Sequence, residues 1–367
     1  MLFSEIFAEV PDPRDDTSQH DLIDILFVAL TAVLCGAVHC TEMALFAEGR
    51  LALLRQFVPL KHGAPSHDTF SRVLRALDPQ AFEAAFRTFM AAFGEAAQID
   101  TKPDQVSIDG KALRRAYDKG RAHVPPLVVT AYGCDTFMSL SQVVAGEGGE
   151  AEAAIQALKL LSLKGCTVTA DALHCHRRMT GTIRKAGGHY VLAIKANQSK
   201  LAREAAVALD KAAQSPRTRF AETVETGHGR HERRRAFLTP FAQTPGRNAL
   251  VGLRAVARVE AWRTADGKAT HTVRCYALSR RLPPDEVLRL VRRHWAIENE
   301  LHWPLDVHMR EDDTRNRKNN APANLALLRR LALNILRAEP QNIPLSHKRL
   351  KARWNDDDLL HLLTHMR

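Results

Sequence analysis

The spacing of apolar residues changes near residue 100. Before that point they recur at helical intervals, as in the run Ile25, Leu26, Ala29, Leu30, Val33 and Leu34. Beyond it, alternating or β-branched runs predict strands near 104–109, 127–132, 136–144, 167–171 and 190–195, with helices over about 150–162 and 175–186. Three adjacent strands followed by alternating helices and strands predict an α/β fold built on a mixed sheet flanked by helices.

These patterns divide the chain into three predicted parts. Residues 1–98 form a helical N-terminal domain, in which Ser66 caps a helix carrying Val73 and Leu74. Residues 99–340 form the sheet domain, and alternating β-branched and polar residues over about 218–282 predict a strand-rich insertion before its last helix. Residues 341–367 form a C-terminal helical tail.

Charge favours a polyanionic partner. The chain has 367 residues, with 52 Lys plus Arg against 41 Asp plus Glu and a formal net charge of +11. Arginines cluster at 114–115, 177–178, 230–235, 280–281, 292–293 and 329–330. Ordinary solubility charge is the alternative explanation of the excess.

Cysteines and apolar runs limit the protein class. The six cysteines have no paired CxxC spacing, so we expect reduced thiols in a cytoplasmic protein. His174, Cys175 and His176 stand together, but no second ligand pair follows at the spacing of a structural zinc site. The longest uncharged apolar run, 25–38, is too short to span a bilayer, and no signal peptide precedes it, so no membrane partner is expected.

Three acidic residues are the candidate chemistry. Asp109 follows a short strand and precedes Gly110, which we expect to end that strand, and Asp171 closes a second, buried strand. Glu298 projects from a predicted helix. Convergent carboxylates suit Mg²⁺ or Mn²⁺, and two such ions about 4 Å apart serve phosphoryl transfer. Alternatively, strand-end aspartates only cap the helices that follow them.

The amino-acid sequence around these acids resembles that of the DDE transposases of bacterial insertion sequences, specifically the H-repeat-associated proteins of the IS-four group. The matching strings are Ser107-Ile108-Asp109-Gly110-Lys111, Thr169-Ala170-Asp171-Ala172-Leu173-His174-Cys175, 187–198, 227–230 and 294–303, followed by 305–307, Glu311-Asp312 and Arg315. They occur in family order over nearly the whole chain.

The resemblance implies an RNase H-like fold in which Asp109, Asp171 and Glu298 hold two Mg²⁺ or Mn²⁺ ions. It implies metal-dependent strand cleavage and strand transfer at the ends of an insertion sequence. The partners would be double-stranded DNA, as element ends and target, and at least one further copy of the chain. The location would be bacterial and nucleoid-associated, and residues 1–98 would help to recognise element ends, although a packing or dimerisation bundle explains that region equally well.

Further residues are candidates for DNA contact. They are Lys111, Arg114, Lys195, Asn197, Arg292, Arg293, His294 and His302. A solvent-facing role is the alternative for the two lysines. His294 and His302 lie four residues either side of Glu298, so they would orient it, join a metal site or form a polar face. Trp295 and Trp303 are predicted to anchor the core.

Three departures from the family pattern leave activity open. Val291 and Leu305 replace expected polar residues, Pro304 should kink or end its helix, and Gly146 to Glu152 replaces a basic and hydroxyl-bearing turn. A catalytically retired DNA-binding protein is therefore the alternative function. A plain RNase H-like nuclease is a third reading, which shares the metal site but does not join strands.

Overall fold

The computed structural model describes residues 2–15, 17–116, 124–227, 229–265, 267–364 and 366. His228, part of one family-like string, lies outside the described residues. None of the helices in these ranges is long and apolar enough to cross a membrane.

Helices make up the N-terminal region. They are α1 Leu2–Phe7, α2 Leu22–Leu34, α3 Cys40–Gly49, α4 Leu51–Leu54, α5 His67–Ala76 and α6 Pro79–Ala96. The predicted cap is confirmed, since the Thr69 backbone N–H donates to Ser66 Oγ over 3.3 Å at the start of α5. The predicted stripe in α2 is an underestimate, because nearly every residue of α2 is buried. Neighbouring helices therefore surround α2 rather than covering one face.

Nine strands form one mixed sheet in the described part of the chain. They are β1 Gln105–Ala112, β2 Leu127–Gly133, β3 Met138–Val144, β4 Thr167–Ala170, β5 His189–Ile194, β6 Ala221–Gly227, β7 Arg230–Pro240, β8 Ala255–Ala265 and β9 Lys268–Leu278. Their order is β3-β2-β1-β4-β5-β9-β8-β7-β6. Strands β1 to β3 pair antiparallel, and β4 and β5 run parallel to β1. This arrangement confirms the RNase H-like α/β class.

The predicted insertion is strand-rich, but it is continuous with the sheet formed by β1 to β5. Strand β9 pairs antiparallel with β5, and β8, β7 and β6 follow outward. Helices lie on both faces of the sheet, namely α7 Gly149–Lys159, α8 Arg177–Lys185, α9 Ser199–Ala213 and α10 Pro284–His294. Phe237 and Val256 pack with α9, whereas the alternate residues Ala236 and Ala257 pack with α10. Helices α9 and α10 therefore cover opposite faces of the inserted strands.

One strand end differs from prediction. Gly110 was expected to end β1, yet the strand continues through it to Ala112, paired with β2. A Cβ built on Gly110 would lie 2.8 Å from the Glu150 carboxylate. Gly110 therefore does not break the strand, and the Glu150 carboxylate from the first turn of α7 occupies the space beside it.

The segment after α10 contains a helix of unusual type. Ile297–His302 is a π-helical turn, and α11 Trp303–Val307 follows directly. In an α-helix the Pro304 ring would press on the carbonyl of residue 300, whereas the wider π turn relieves that clash. Pro304 therefore changes the type of the helix, which continues beyond it.

The last helices return to the N-terminal region. They are α12 Ala321–Ala338, α13 Leu345–Trp354 and α14 Asp356–Thr364. Helix α12 is buried along almost its whole length and packs against α2, α5 and α6. Residues of α14 and of the π turn, Leu363 and Leu301 among them, belong to the same apolar core. The N-terminal helices, the tail and the segment carrying Glu298 thus share one core.

Candidate metal centre

Asp109 and Asp171 follow directly after the end of one parallel ladder. The pairing between β1 and β4 ends at Ile108 opposite Ala170; Asp109 is the next residue of β1, and Asp171 is the first residue after β4. Neighbouring strands lie about 4.8 Å apart. The two backbones therefore bring these acids to adjacent positions at the same edge.

Glu298 and His302 reach this edge from the π turn. His302 Nδ1 lies 3.3 Å from Glu298 Oε2 and 3.7 Å from Asp109 Oδ2. Ligand atoms of Asp109, Glu298 and His302 all lie within 4.8 Å of one another. Two carboxylates and one imidazole nitrogen therefore form a compact set of donors for a divalent ion.

The charges of this cluster favour a cation. Burial raises the pKa of Asp109 to about 6, an effect that the Glu298 carboxylate increases and His302 opposes. The hydrogen bond from His302 lowers the pKa of Glu298. Two adjacent carboxylates repel each other when both are ionised, and a bound divalent ion would remove that repulsion. The residues present therefore fit a metal.

Asp171 is oriented differently. Its Oδ1 accepts a hydrogen bond of 2.9 Å from the Leu173 N–H and caps the short 3₁₀ turn Ala172–His174. Its side chain is half exposed, and it is not part of the three-residue donor set. The helix-capping alternative is therefore realised at Asp171, while its backbone position stays beside Asp109.

His294 is part-buried and belongs to a hydrogen-bond network that links α10 to the strands. Its Nδ1 lies 3.2 Å from Thr169 Oγ1, and burial lowers its pKa to about 4. A neutral imidazole at physiological pH gives a phosphate no positive charge. The same Thr169 hydroxyl lies 2.9 Å from Ser107 Oγ and 3.1 Å from Gln105 Nε2.

Lys111 differs from expectation because its ammonium group is already engaged. Lys111 is buried, with Nζ 2.7 Å from Asp306 Oδ1 and 3.3 Å from Asp312 Oδ1. Glu311 lies nearby, fully buried, and pairs with Arg330 Nη1 over 3.0 Å. These carboxylates offset the energetic cost of burying the lysine charge. The Lys111 ammonium group is therefore already paired and is not free to contact a phosphate.

Arg329 and Arg330 form one of the arginine clusters that favoured a polyanionic partner in the sequence. Both are buried in α12, so this pair adds nothing to a basic surface. The sequence pattern does not predict the network of Lys111, Glu311 and Arg330, although Glu311 lies in one of the family-like strings. The sequence feature that could have indicated this network is the acidic run from Glu311 to Asp313. It shortly precedes α12, which is mostly apolar apart from its arginines.

The remaining candidates for DNA contact differ in how exposed they are and in whether another residue already binds them. Arg114 is largely exposed, with Nε 3.6 Å from Asp312 Oδ2, and Lys195 is exposed beside Asp171. Asn197 Nδ2 donates to the Ala172 carbonyl over 2.7 Å, which fixes the turn after Asp171. Arg292 lies 2.6 Å from Glu225 Oε2, and Arg293 is exposed.

A basic cleft of about 780 Å³ lies between the inserted strands and α10. Its charged lining residues are Arg234, Arg263, Arg274, Arg289, Arg292 and Arg293, with Glu232 and Glu300. Trp295 borders the cleft with its ring 5.0 Å from the Arg274 guanidinium carbon. The prediction that Trp295 and Trp303 anchor the core is wrong, since they are 45% and 54% exposed. Both face outward because Ile297, Leu301 and Leu305 fill the core side of this segment.

The zinc alternative at residues 174–176 gains no support. Cys175 is fully buried, and burial raises the pKa of its thiol to about 12, which opposes the thiolate form that zinc requires. All six cysteines are free in the described structure.

Comparisons with known proteins match most of the chain. The family described as "Transposase DDE domain" matches residues 72–335, and the one described as "DDE_Tnp_1-associated" matches residues 4–90. The "H repeat-associated putative transposase YhhI" of Escherichia coli K12 is 33% identical over 342 residues, covering 90% of this chain and 89% of that protein. The "Uncharacterized protein in dhlA 3'region" of Xanthobacter autotrophicus is 36% identical over 285 residues, covering 76% of this chain and 94% of that protein.

One solved structure overlaps the chain loosely. It is the cryo-EM structure of a piggyBac transposase synaptic complex with hairpin DNA, with a TM-score of 0.46 and 12% identity. The overlap covers all of this chain and 79% of that one.

Proposed function

The chain belongs to the family of transposases with a DDE domain, and from that premise we propose that it cleaves and joins DNA at the ends of an insertion sequence. The observation that carries the proposal is the cluster of Asp109, Glu298 and His302 beside the point where the pairing of β1 with β4 ends. Asp171, on the neighbouring strand, completes the set of three acids.

Asp109, Asp171 and Glu298 would hold two Mg²⁺ or Mn²⁺ ions. Such ions, when bound, activate a water or a DNA 3′ hydroxyl and stabilise charge on the phosphate. The protein contributes placement, because Asp109 and Asp171 come directly after the last paired residues of β1 and β4, and Glu298 lies in a turn packed on the core. His302 orients Glu298 through the 3.3 Å contact between Nδ1 and Oε2.

DNA contact is supported by the basic cleft. Six arginines and two glutamates give its lining a positive balance, and Trp295 is common to the cleft and to the smaller pocket lined by Asp171, Lys195 and His294. Arginines that replace condensed counterions supply much of the affinity of a protein for a DNA backbone. We therefore infer that a DNA strand runs along the cleft toward the acids, with Lys195, Arg292 and Arg293 among its contacts.

We also propose that the N-terminal domain, 1–98, recognises element ends and that the chain acts as at least a homodimer on DNA. The match of residues 4–90 to a family associated with the DDE domain supports a separate role for this region. The sheet domain would be 99–340, with residues 341–367 as a helical tail.

The decisive experiment uses end-labelled DNA carrying the ends of the element from which the chain derives. The full chain is incubated with this DNA and Mg²⁺, Mn²⁺ or EDTA, and products are separated on a denaturing gel. We expect specific nicks and joined products with either metal and none with EDTA. Asp109→Asn should abolish both products while retaining DNA binding in a mobility-shift assay.

The outcomes separate the three candidate functions. Nicks without joined products would identify a nuclease, and binding without nicks would identify the retired DNA-binding protein. Cleavage that persists in Asp109→Asn would overturn the assignment of the acids.

A further inference from the structure

Glu150 approaches the acidic edge from a third direction. It lies in the first turn of α7, and its carboxylate fills the space that a side chain at residue 110 would need. Gly110 follows Asp109, so the Glu150 carboxylate lies against the strand backbone at the residue next to that acid. Burial, Glu298 and finally Glu150 all raise the pKa of Asp109.

His174 is buried between Glu150 and Asp171. The residue is 1% exposed, with Nε2 3.4 Å from Glu150 Oε1 and 3.9 Å from Asp171 Oδ1. Among the described residues, neither ring nitrogen has a hydrogen-bond partner of acceptable geometry. Burying a polar group without a hydrogen-bond partner is unfavourable, so an imidazole held in this way between two carboxylates is suited to binding a cation.

We propose that Glu150, His174 and Asp171 bind a divalent cation, which makes Glu150 a fourth carboxylate of the metal centre. This ion would be one of the two required by the proposed function, on which the inference rests. The other would be held by Asp109, Glu298 and His302. The two donor sets are linked by the adjacent backbone positions of Asp109 and Asp171.

The donor chemistry predicts a preference for Mn²⁺ over Mg²⁺. Each set contains one imidazole nitrogen, and nitrogen ligands suit transition metals better than Mg²⁺, which prefers oxygen and retains water. Cys175 is excluded as a ligand because its thiol is buried and protonated. This distinguishes the site from a zinc site built on residues 174–176.

The test counts bound Mn²⁺ without measuring catalysis. Free Mn²⁺ is quantified by electron paramagnetic resonance during titration of the full chain in the absence of DNA. We expect two ions in the wild-type protein and one ion, or a second that binds about tenfold more weakly or worse, in Glu150→Gln and in His174→Asn. Glu147→Gln is the matched control, since Glu147 is an exposed glutamate of the preceding turn.

A spectroscopic readout checks the imidazole directly. In a His302→Asn background, pulsed electron paramagnetic resonance of bound Mn²⁺ should still detect a coupled ¹⁴N nucleus. That signal should vanish when His174→Asn is added. Circular dichroism in EDTA verifies that each variant is folded, and the signal of the His302→Asn protein carries the test even if His174 variants do not fold.

Failure of this inference differs from failure of the proposed function. Two Mn²⁺ ions bound with unchanged affinity in both Glu150→Gln and His174→Asn, or no ¹⁴N signal in His302→Asn, would overturn it. If Asp109→Asn still loses cleavage, the proposed function stands without this site. Cleavage retained in Asp109→Asn would instead remove the proposed function.

Discussion

The imidazole Nδ1 of His294 lies 3.2 Å from the hydroxyl oxygen of Thr169. This contact joins the last residue of α10 to β4, one turn before Glu298. Thr169 in turn contacts Ser107 and Gln105 of β1, and Gln105 Nε2 donates to the Leu290 carbonyl of α10 over 2.8 Å. One buried polar network therefore fixes the helix that leads to Glu298 against the strands that carry the two aspartates.

Thr169→Val should weaken both stability and catalysis. The substitution keeps the shape but leaves polar groups of His294, Ser107 and Gln105 with fewer partners, which costs about 1–3 kcal/mol. We expect a lower free energy of unfolding in urea and slower single-turnover DNA cleavage, with DNA binding retained. Thr88→Val, at an exposed threonine of α6, is the control. Equal behaviour of the two variants would show that the network does not place Glu298.

Asp109→Asn should stabilise the metal-free protein at neutral pH. The folded pKa of Asp109 is about 6, above its ordinary value of 3.8, so the folded state holds the proton more tightly than the unfolded chain. Stability from this group is present below pH 3.8 and is lost as pH rises toward 6. In EDTA we expect asparagine to add on the order of 1–2 kcal/mol above pH 6, fading toward pH 4.

Thermal melts of wild type and Asp109→Asn between pH 4 and 8 measure this difference. Adding Mn²⁺ at pH 7.5 should raise the melting temperature of the wild type more than that of the variant. A difference between the two proteins that does not change with pH would contradict the assigned cause.

Removing one member of the buried ion pair should be severely destabilising. Arg330 and Glu311 are both fully buried, 3.0 Å apart, and removing either residue would leave the other as a buried charge without its nearest partner. We expect Arg330→Met to cost about 3–5 kcal/mol in urea unfolding. The double variant Arg330→Met with Glu311→Leu should lose less than the sum of the single losses. Additive losses would show that the two charges act independently.

Arginines of the basic cleft should govern the salt dependence of DNA binding. For Arg292→Ala and Arg293→Ala, we expect weaker binding at all salt concentrations and a slope of log affinity against log salt reduced by about 1 each. Arg203→Ala is the matched control, because Arg203 is exposed on α9, on the opposite face of the inserted strands. Equal losses in all three variants would place the DNA elsewhere.

Local pattern was enough to predict the α/β sheet and the strand-rich insertion. The β-branched and alternating residues near 127–132, 167–171 and 190–195 are typical of buried strands. Ser66 stands at the position before a helix where a capping residue is expected. Sequence also predicted both acids at strand ends, and the pairing of β1 with β4 does end just before Asp109 and Asp171. Those features depend on neighbours in the chain or on a regular period.

Properties that depend on distant residues were not predictable in this way. Lys111 looked free because its partners, Asp306 and Asp312, lie about 200 residues further along the chain. Trp295 looked like a core residue because hydrophobicity alone does not reveal which face a π turn exposes. Gly110 looked like a strand breaker because only the folded structure shows Glu150 occupying the space beside it.

The pairing of β9 with β5 has a consequence for how this chain tolerates deletion. Residues 191–194 of the RNase H-like sheet hydrogen-bond to residues 275–278 of the inserted strands. Excising β6 to β9 would leave an open row of peptide groups along β5, and such an edge recruits other chains into aggregates. The inserted strands therefore cannot be removed without exposing β5. A protein shortened in this way would stay monodisperse only if β5 were covered by another segment or carried charged residues along its edge.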